Sequence, residues 1–371
     1  MVAHGAVVAH SEGDGVWDST TTWRVAEDLR IGSAADEGPT GFNEIVGLTV
    51  DPAKRIYVVE RTTQEIRVFD STGTFLRRMG RKGRGPGEMQ DVSGIDWDRA
   101  GRLWIVDPGN GRYTLFDTSG HFVATRPRAT PFNMFPWNGA FLASGDLVDV
   151  FGLPGAGLPP PLGLVRFDTA LVARDTLPLP ASDPPRFTLR RVSGNNVSMM
   201  SAPVPFAASV HWRLDRRGFL WLGATVPYRV YRLRLTGDTA AVVERSYVPL
   251  RVSGSERATA LARLDWFVKQ GGPVDASRIP SEKPAFEDFF VDDDGRLWVN
   301  PVTAAGDSAS ARVFDVFDAD GRLLGRLQLP WKVSSWPPPV FRGDRLYAVT
   351  ADPDGVPFVV RAHIERGSRL R

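Results

Sequence analysis

Groups able to do chemistry are sparse in this chain, which holds five histidines and no cysteine. Three polar residues nevertheless share a spacing: Asn138, His211 and Asp288 each lie ten residues before a large apolar centre, at Val148, Trp221 and Trp298. If those centres are equivalent positions of a repeating unit, the three side chains stand at one level of a common axis. An imidazole beside a carboxylate and an amide could act as acid or base, or gather nitrogen and oxygen ligands for a cation. A solvated polar channel is the simpler use of the same residues. A second set, Glu44 and Asp91, lies seven residues before Asp51 and Asp98. Paired carboxylates suit calcium, although calcium takes about six to eight oxygens, more than this pair supplies.

The elements that must position these groups form an internal repeat. Gly101-Arg102-Leu103-Trp104, Gly218-Phe219-Leu220-Trp221 and Gly295-Arg296-Leu297-Trp298 each follow an aspartate, at Asp98, Asp215 and Asp292. The stretch from Leu48 to Val59 matches that from Ile95 to Val106 at an offset of 47 residues. A turn leading into a bulky apolar strand, recurring along the chain, marks a unit that cannot bury its own face and must stack on copies of itself. Second strands centre on Tyr57, Trp104, Val148, Trp221, Trp298 and Tyr347, which gives six units. Four-stranded units of about 40 to 50 residues are blades. The expected fold is therefore all-β, a six-bladed propeller whose inner strands set Gly47, Gly94, Asn138, His211, Asp288 and Pro337 around the channel.

Two intervals are too long for one blade and imply insertions at about residues 178–205 and 249–284. In the second, Ser253 and Glu256 make a capping box. Leu261, Leu264 and Val268 then recur at helical spacing beside Trp266 and Phe267, and Gly271 can end the helix. One short helical insertion is expected, lying on the propeller or offering Trp266 and Phe267 to a partner. Trp331, Trp336 and the three prolines that follow could form a second docking edge. The last blade lacks a fourth strand, which residues 23–31 could supply, closing the ring and hiding its sheet edges. Residues 1–22 would then be a flexible lead, and 23–371 a single domain.

Composition narrows the function classes. Net charge is +2 in 371 residues, so the basic run Arg77, Arg78, Arg81, Lys82 and Arg84 lacks the broad positive field that nucleic-acid binding needs. No apolar run is long enough to span a bilayer, and no secretory leader is legible. The absence of cysteine excludes disulfides and thiolate zinc sites. The histidines form no short-spaced ligand pair.

The stretch Gly80-Arg81-Lys82-Gly83-Arg84-Gly85-Pro86-Gly87-Glu88-Met89, followed by Asp107-Pro108-Gly109-Asn110-Gly111-Arg112, resembles the inter-blade signature of NHL-type repeats. It departs from that pattern at Met89, and at Glu60, Thr63 and Glu65 of the preceding unit. The whole chain resembles the six-bladed NHL- or TolB-like propellers of bacterial envelopes. That resemblance implies an extracytoplasmic, periplasmic binding or docking role more often than a reaction. The leading expectation is a non-enzymatic scaffold for a protein partner, a peripheral subunit of a membrane-associated complex without a cofactor. The alternatives are a channel-site hydrolase or lyase of lactonase type, using His211, Asp288 and Asn138 with or without a divalent cation, and a carbohydrate or peptide sensor.

Overall fold

A computed structural model of the chain describes residues 6–35, 38–129, 137–154, 161–180, 185–194, 196–304 and 312–367. The recurring aspartates explain the repeat. Asp98 accepts the backbone N–H of Arg102 at 2.9 Å, closing the turn, and the indole N–H of Trp104 at 2.8 Å, fixing the ring at the centre of the next strand. Asp215 holds Trp221 in the same way at 2.9 Å, Asp292 holds Trp298 at 3.2 Å, and Asp51 holds the Tyr57 hydroxyl at 3.2 Å. One carboxylate thus satisfies both a turn amide and the only polar atom of a buried aromatic ring.

These turns join antiparallel strands into five four-stranded meanders spanning residues 45–79, 94–127, 140–178, 210–245 and 286–328. The sixth sheet is composite: Val340–Arg342, Arg345–Ala351 and Pro357–Glu365 are completed by Arg24–Ile31, with Arg24 opposite Glu365 and Ile31 opposite Val359. The expected ring closure is therefore present. Aromatic side chains fill the seams between blades, as where Tyr57 of blade one meets Trp97 of blade two edge-on, 5.0 Å between centroids.

Three features differ from expectation. In blade six the first two strands are joined by only Gly343 and Asp344, against five residues in blade two, so Tyr347 faces Val340, and both Pro337 and Pro338 border the channel. Within the segment expected to be flexible, Val7–Ser11 runs parallel to Thr239–Arg245 as a fifth strand of blade four. Its Ser11 hydroxyl accepts the Leu323 amide of blade five, and Val16 and Trp17 both donate to the Leu324 carbonyl.

The third difference concerns the insertions. Both are connections from an outer strand to the next inner strand, on neighbouring blades, so meander topology delivers them to the same end of the propeller. They pack on each other. The first is a hairpin of Arg186–Ser193 and Asn196–Pro203. The second holds two helices, Gly254–Ala262 and Asp265–Lys269, where one was expected. The Ser253–Glu256 capping box starts the first helix. At its end Leu264 donates to Leu261, three residues back, and the chain re-enters the second helix with Leu264 and Phe267 both turned inward. Phe187, Ala202, Val204, Leu264, Phe267 and Ile279 make a core separate from the blade seams.

Candidate functional site

Aromatic rings and glycines dominate the walls of the channel. A cavity of about 120 Å³ lies on the axis, bounded by Gly47, Gly94, Asn138, Trp137, Trp212 and Trp336 among others. A water needs about 10–15 Å³ of such space, so the cavity holds several waters. Glycine is required where these walls meet: a Cβ on Gly94 would come within 2.6 Å of the Trp137 ring, and one on Gly47 within 2.7 Å of Ile95 and Val59.

Trp137 is held by a buried carboxylate. Asp149 accepts its indole N–H at 2.6 Å, the Arg128 Nε–H at 2.7 Å, and the Tyr113 hydroxyl. Arg128 and Asp149 are almost wholly excluded from solvent. Burial, then the neighbouring Asp149 charge, pushes the Tyr113 hydroxyl well above its ordinary range. The network fixes a side chain of the cavity wall.

His211 and Asp288 do fall on adjacent inner strands, facing Gly223 and Asn300 at equivalent levels. Their contact is loose, with Nδ1 3.9 Å from the nearest Asp288 oxygen. Asp288 is taken by Arg213 instead, which donates to both carboxylate oxygens at 2.8 and 2.7 Å, while the Phe289 amide donates at 2.8 Å. The guanidinium also lies over the Phe290 ring, 5.5 Å from its centroid. Asn138 borders the axial cavity and, with His211, a second one of about 490 Å³ where residues 203–207 enter blade four. Asp288 borders neither. The structure therefore brings His211 near each of the other two without joining the three.

Two residues absent from the sequence reading matter here. Ser209, two positions before His211 and so on the same side of the strand, places its hydroxyl 2.9 Å from His211 Nε2. Serine, histidine and aspartate are then in the order of an acyl-transfer relay, but the histidine–aspartate step exceeds hydrogen-bond reach. Burial lowers the imidazole pKa, Asp288 opposes the shift, and Arg213 adds to it. An imidazolium formed by taking the serine proton would face a carboxylate already neutralised by arginine. The alternation of the strand could have flagged Ser209; nothing in the sequence marks Arg213 as the partner of Asp288, 75 residues away.

Glu44 and Asp91 do come together on neighbouring blades. Between them sits Arg61, with Nη1 3.0 Å from Glu44 and Nη2 3.3 Å from Asp91. The cation that joins them is a guanidinium. Among the described residues no three His, Asp or Glu side chains gather as a metal-ligand set.

Of the four aromatic residues expected at a partner surface, only Trp266 is open, at 51% exposure. Phe267 is fully buried in the core of the insertions, Trp331 lies in the seam of blades five and six, and Trp336 borders the axial cavity. Trp331 and Phe267 are large apolar groups next to an existing core, and burial there outweighs display. The basic run is also occupied: Arg78 pairs with Glu65, Arg81 with Glu88, and Arg84 with Gln90.

The geometry defines the class of the protein as a six-bladed β-propeller. A family model described as a six-bladed β-propeller, DUF5128, matches residues 44–135, the most regular part of the repeat. No curated protein matches the chain. Among solved structures, a candidate exported protein of Bacteroides fragilis NCTC 9343 superposes with a TM-score of 0.56 at 12% identity, covering 97% of this chain and 100% of that one. A DUF4221 family member from Bacteroides vulgatus gives a TM-score of 0.51 at 11% identity, over 94% of this chain and 100% of its own. A catalytically inactive virginiamycin B lyase from Staphylococcus aureus reaches 0.48 at 9% identity, over 92% and 99% of the two chains. At these identities the likeness is one of fold.

Proposed function

We propose that this chain is a non-enzymatic docking propeller of the NHL- or TolB-like kind. In this reading it works outside the cytoplasm as a peripheral subunit of a membrane-associated complex and holds its protein partner on the end that carries the insertions. One observation carries the reading: hairpin and helices share a core of their own and build a platform on neighbouring blades, while tryptophans line the axial cavity. A fold that spends two insertions on an external surface is arranged for contact rather than turnover. The polar groups of the channel support it, since Asp288 is committed to Arg213 and the Glu44–Asp91 pair to Arg61.

The test is recovery of the tagged full-length chain from the source membrane fraction after in-cell cross-linking, with mass spectrometry of what accompanies it. A specific protein partner should be captured through the platform, and Leu261→Glu, which charges the platform core, should release it. Recovery as a lone soluble monomer sinks the proposal. The hydrolase alternative keeps one observation, the 2.9 Å Ser209–His211 contact beside a cavity. It requires ester turnover that Ser209→Ala abolishes.

A further inference from the structure

The platform has an outer edge whose composition selects one kind of surface. Strand alternation sorts the hairpin into two faces. Phe187, Leu189, Met200 and Ala202 face the helices and enter the core, while Arg190, Val192, Val197 and Met199 point away from it. Val192 stands opposite Val197, and Arg190 opposite Met199. The three apolar members of this outer face are between 53% and 64% exposed. On the second helix Trp266 and Val268 are open to a similar degree, at 51% and 52%. The Arg191 guanidinium, on the helix-facing side of the hairpin, donates to the Gln270 carbonyl and ties the hairpin to the end of that helix.

Charge gives the second, independent observation. Residues 185–204 contain three arginines and no carboxylate, in a chain whose total excess is only +2. Arg263 and Lys269 flank the second helix, against a single carboxylate in that stretch, Asp265. Two of the nearby acids are engaged: Glu256 pairs with Lys283, and Asp275 caps the short turn at Ser277. An edge of aliphatic residues and one indole, set among cations with few anions, complements a layer of phosphates over hydrocarbon. Tryptophan favours that boundary, basic residues are drawn to anionic headgroups, and an apolar margin backed by cations gives both anchoring terms together. A protein partner would more often meet a margin of mixed sign with charge depleted at its centre.

We propose that this edge rests on an anionic bilayer, with Val192, Val197, Met199, Trp266 and Val268 entering the headgroup zone and Arg190, Arg263 and Lys269 facing the phosphates. The proposal deepens the docking reading and rests on the platform being the working end. It makes the attachment to the membrane direct instead of wholly through a partner.

The experiment is co-sedimentation of the purified full-length chain with vesicles of phosphatidylcholine alone and of phosphatidylcholine with phosphatidylglycerol, at low and high salt. Binding should favour the anionic vesicles by about tenfold or more and weaken strongly with salt, as screening of several headgroup contacts requires. Trp266→Ala and the pair Arg190→Glu, Lys269→Glu should each cut anionic binding several-fold while the melting temperature stays unchanged. These side chains are exposed, so folding is not at stake. Equal binding to both vesicle types, no binding, or anionic binding indifferent to these substitutions overturns the proposal. Partner capture without vesicle binding overturns it and leaves the docking function standing; vesicle binding with no partner captured supports it and removes the protein-docking reading.

Discussion

Asp288 shows how a single partner decides a residue's role. Its position on the inner strand of blade five suits a channel carboxylate facing a histidine, and the spacing alone made that reading reasonable. Arg213 claims both oxygens, and burial makes the ion pair a commitment: the Asp288 side chain is 7% exposed and that of Arg213 16%. Removing one member of such a pair leaves the other desolvated and uncompensated. Asp288→Asn should therefore lower stability to denaturant by roughly 3 kcal/mol, the usual scale for breaking a buried ion pair from one side. Adding Arg213→Met should recover much of that loss, because an apolar pair of similar size avoids the desolvation cost. If Asp288→Asn unfolds at the wild-type midpoint, Asp288 is less committed to Arg213 than its geometry indicates. The channel level was legible because it follows the repeat, whereas the pairings of Arg213 with Asp288 and of Arg61 with Asp91 were not: each crosses to another blade, and pairing across a seam leaves no mark in local sequence.

At the scale of elements, the platform has a cap that responds to acid. Glu256 is held down to about 2 from its ordinary 4.5, first by the Lys283 ammonium and then by the Ser253 amide. A carboxyl whose folded pKa lies below its unfolded value adds stability above about pH 4.5 and loses it as pH falls toward 2. Because the group is largely in water, the effect is confined to the helix it caps. Hydrogen exchange, corrected for intrinsic rates, should show protection of residues 254–269 falling about fivefold more than that of the blades between pH 5 and pH 3, the scale of one lost cap. In Glu256→Gln that excess should vanish, since the amide still caps but does not titrate. A platform whose protection tracks the blades through this window would show that the cap contributes nothing there. The capping box itself was legible as Ser253-x-x-Glu256, and so was helical spacing through Val268. That the helices would meet the hairpin was not, because their contact comes from two loops being delivered to one end of neighbouring blades.

For the whole molecule, the question is which part of the amino-terminal chain closes the ring. The Asp-turn-Trp unit announced the blades, and the missing fourth strand of the last one announced the closure by residues 24–31. The parallel strand Val7–Ser11 could not be read: a strand laid on the outer edge of blade four carries no repeat signature and needs only Val7 and Val8 beside an available edge. The two segments should behave differently when removed. Loss of residues 1–12 strips an added strand and the Ser11–Leu323 contact, but leaves all six four-stranded sheets intact. A cost of ~2 kcal/mol moves the midpoint of a chain this large by only a few degrees, and the protein should show one sharp transition without new self-association. Loss of residues 1–31 removes the outer strand of blade six together with Trp23, which is buried and stands 6.0 Å from Trp298 of blade five. That exposes the edge of Pro357–Glu365 to pairing with other chains and unlinks the first sheet from the last. Calorimetry with light scattering should then find a broad transition and self-association. A shorter chain that stays monomeric, with a sharp midpoint within a few degrees of the full-length protein, would mean that packing between blades holds the ring without its amino-terminal strand.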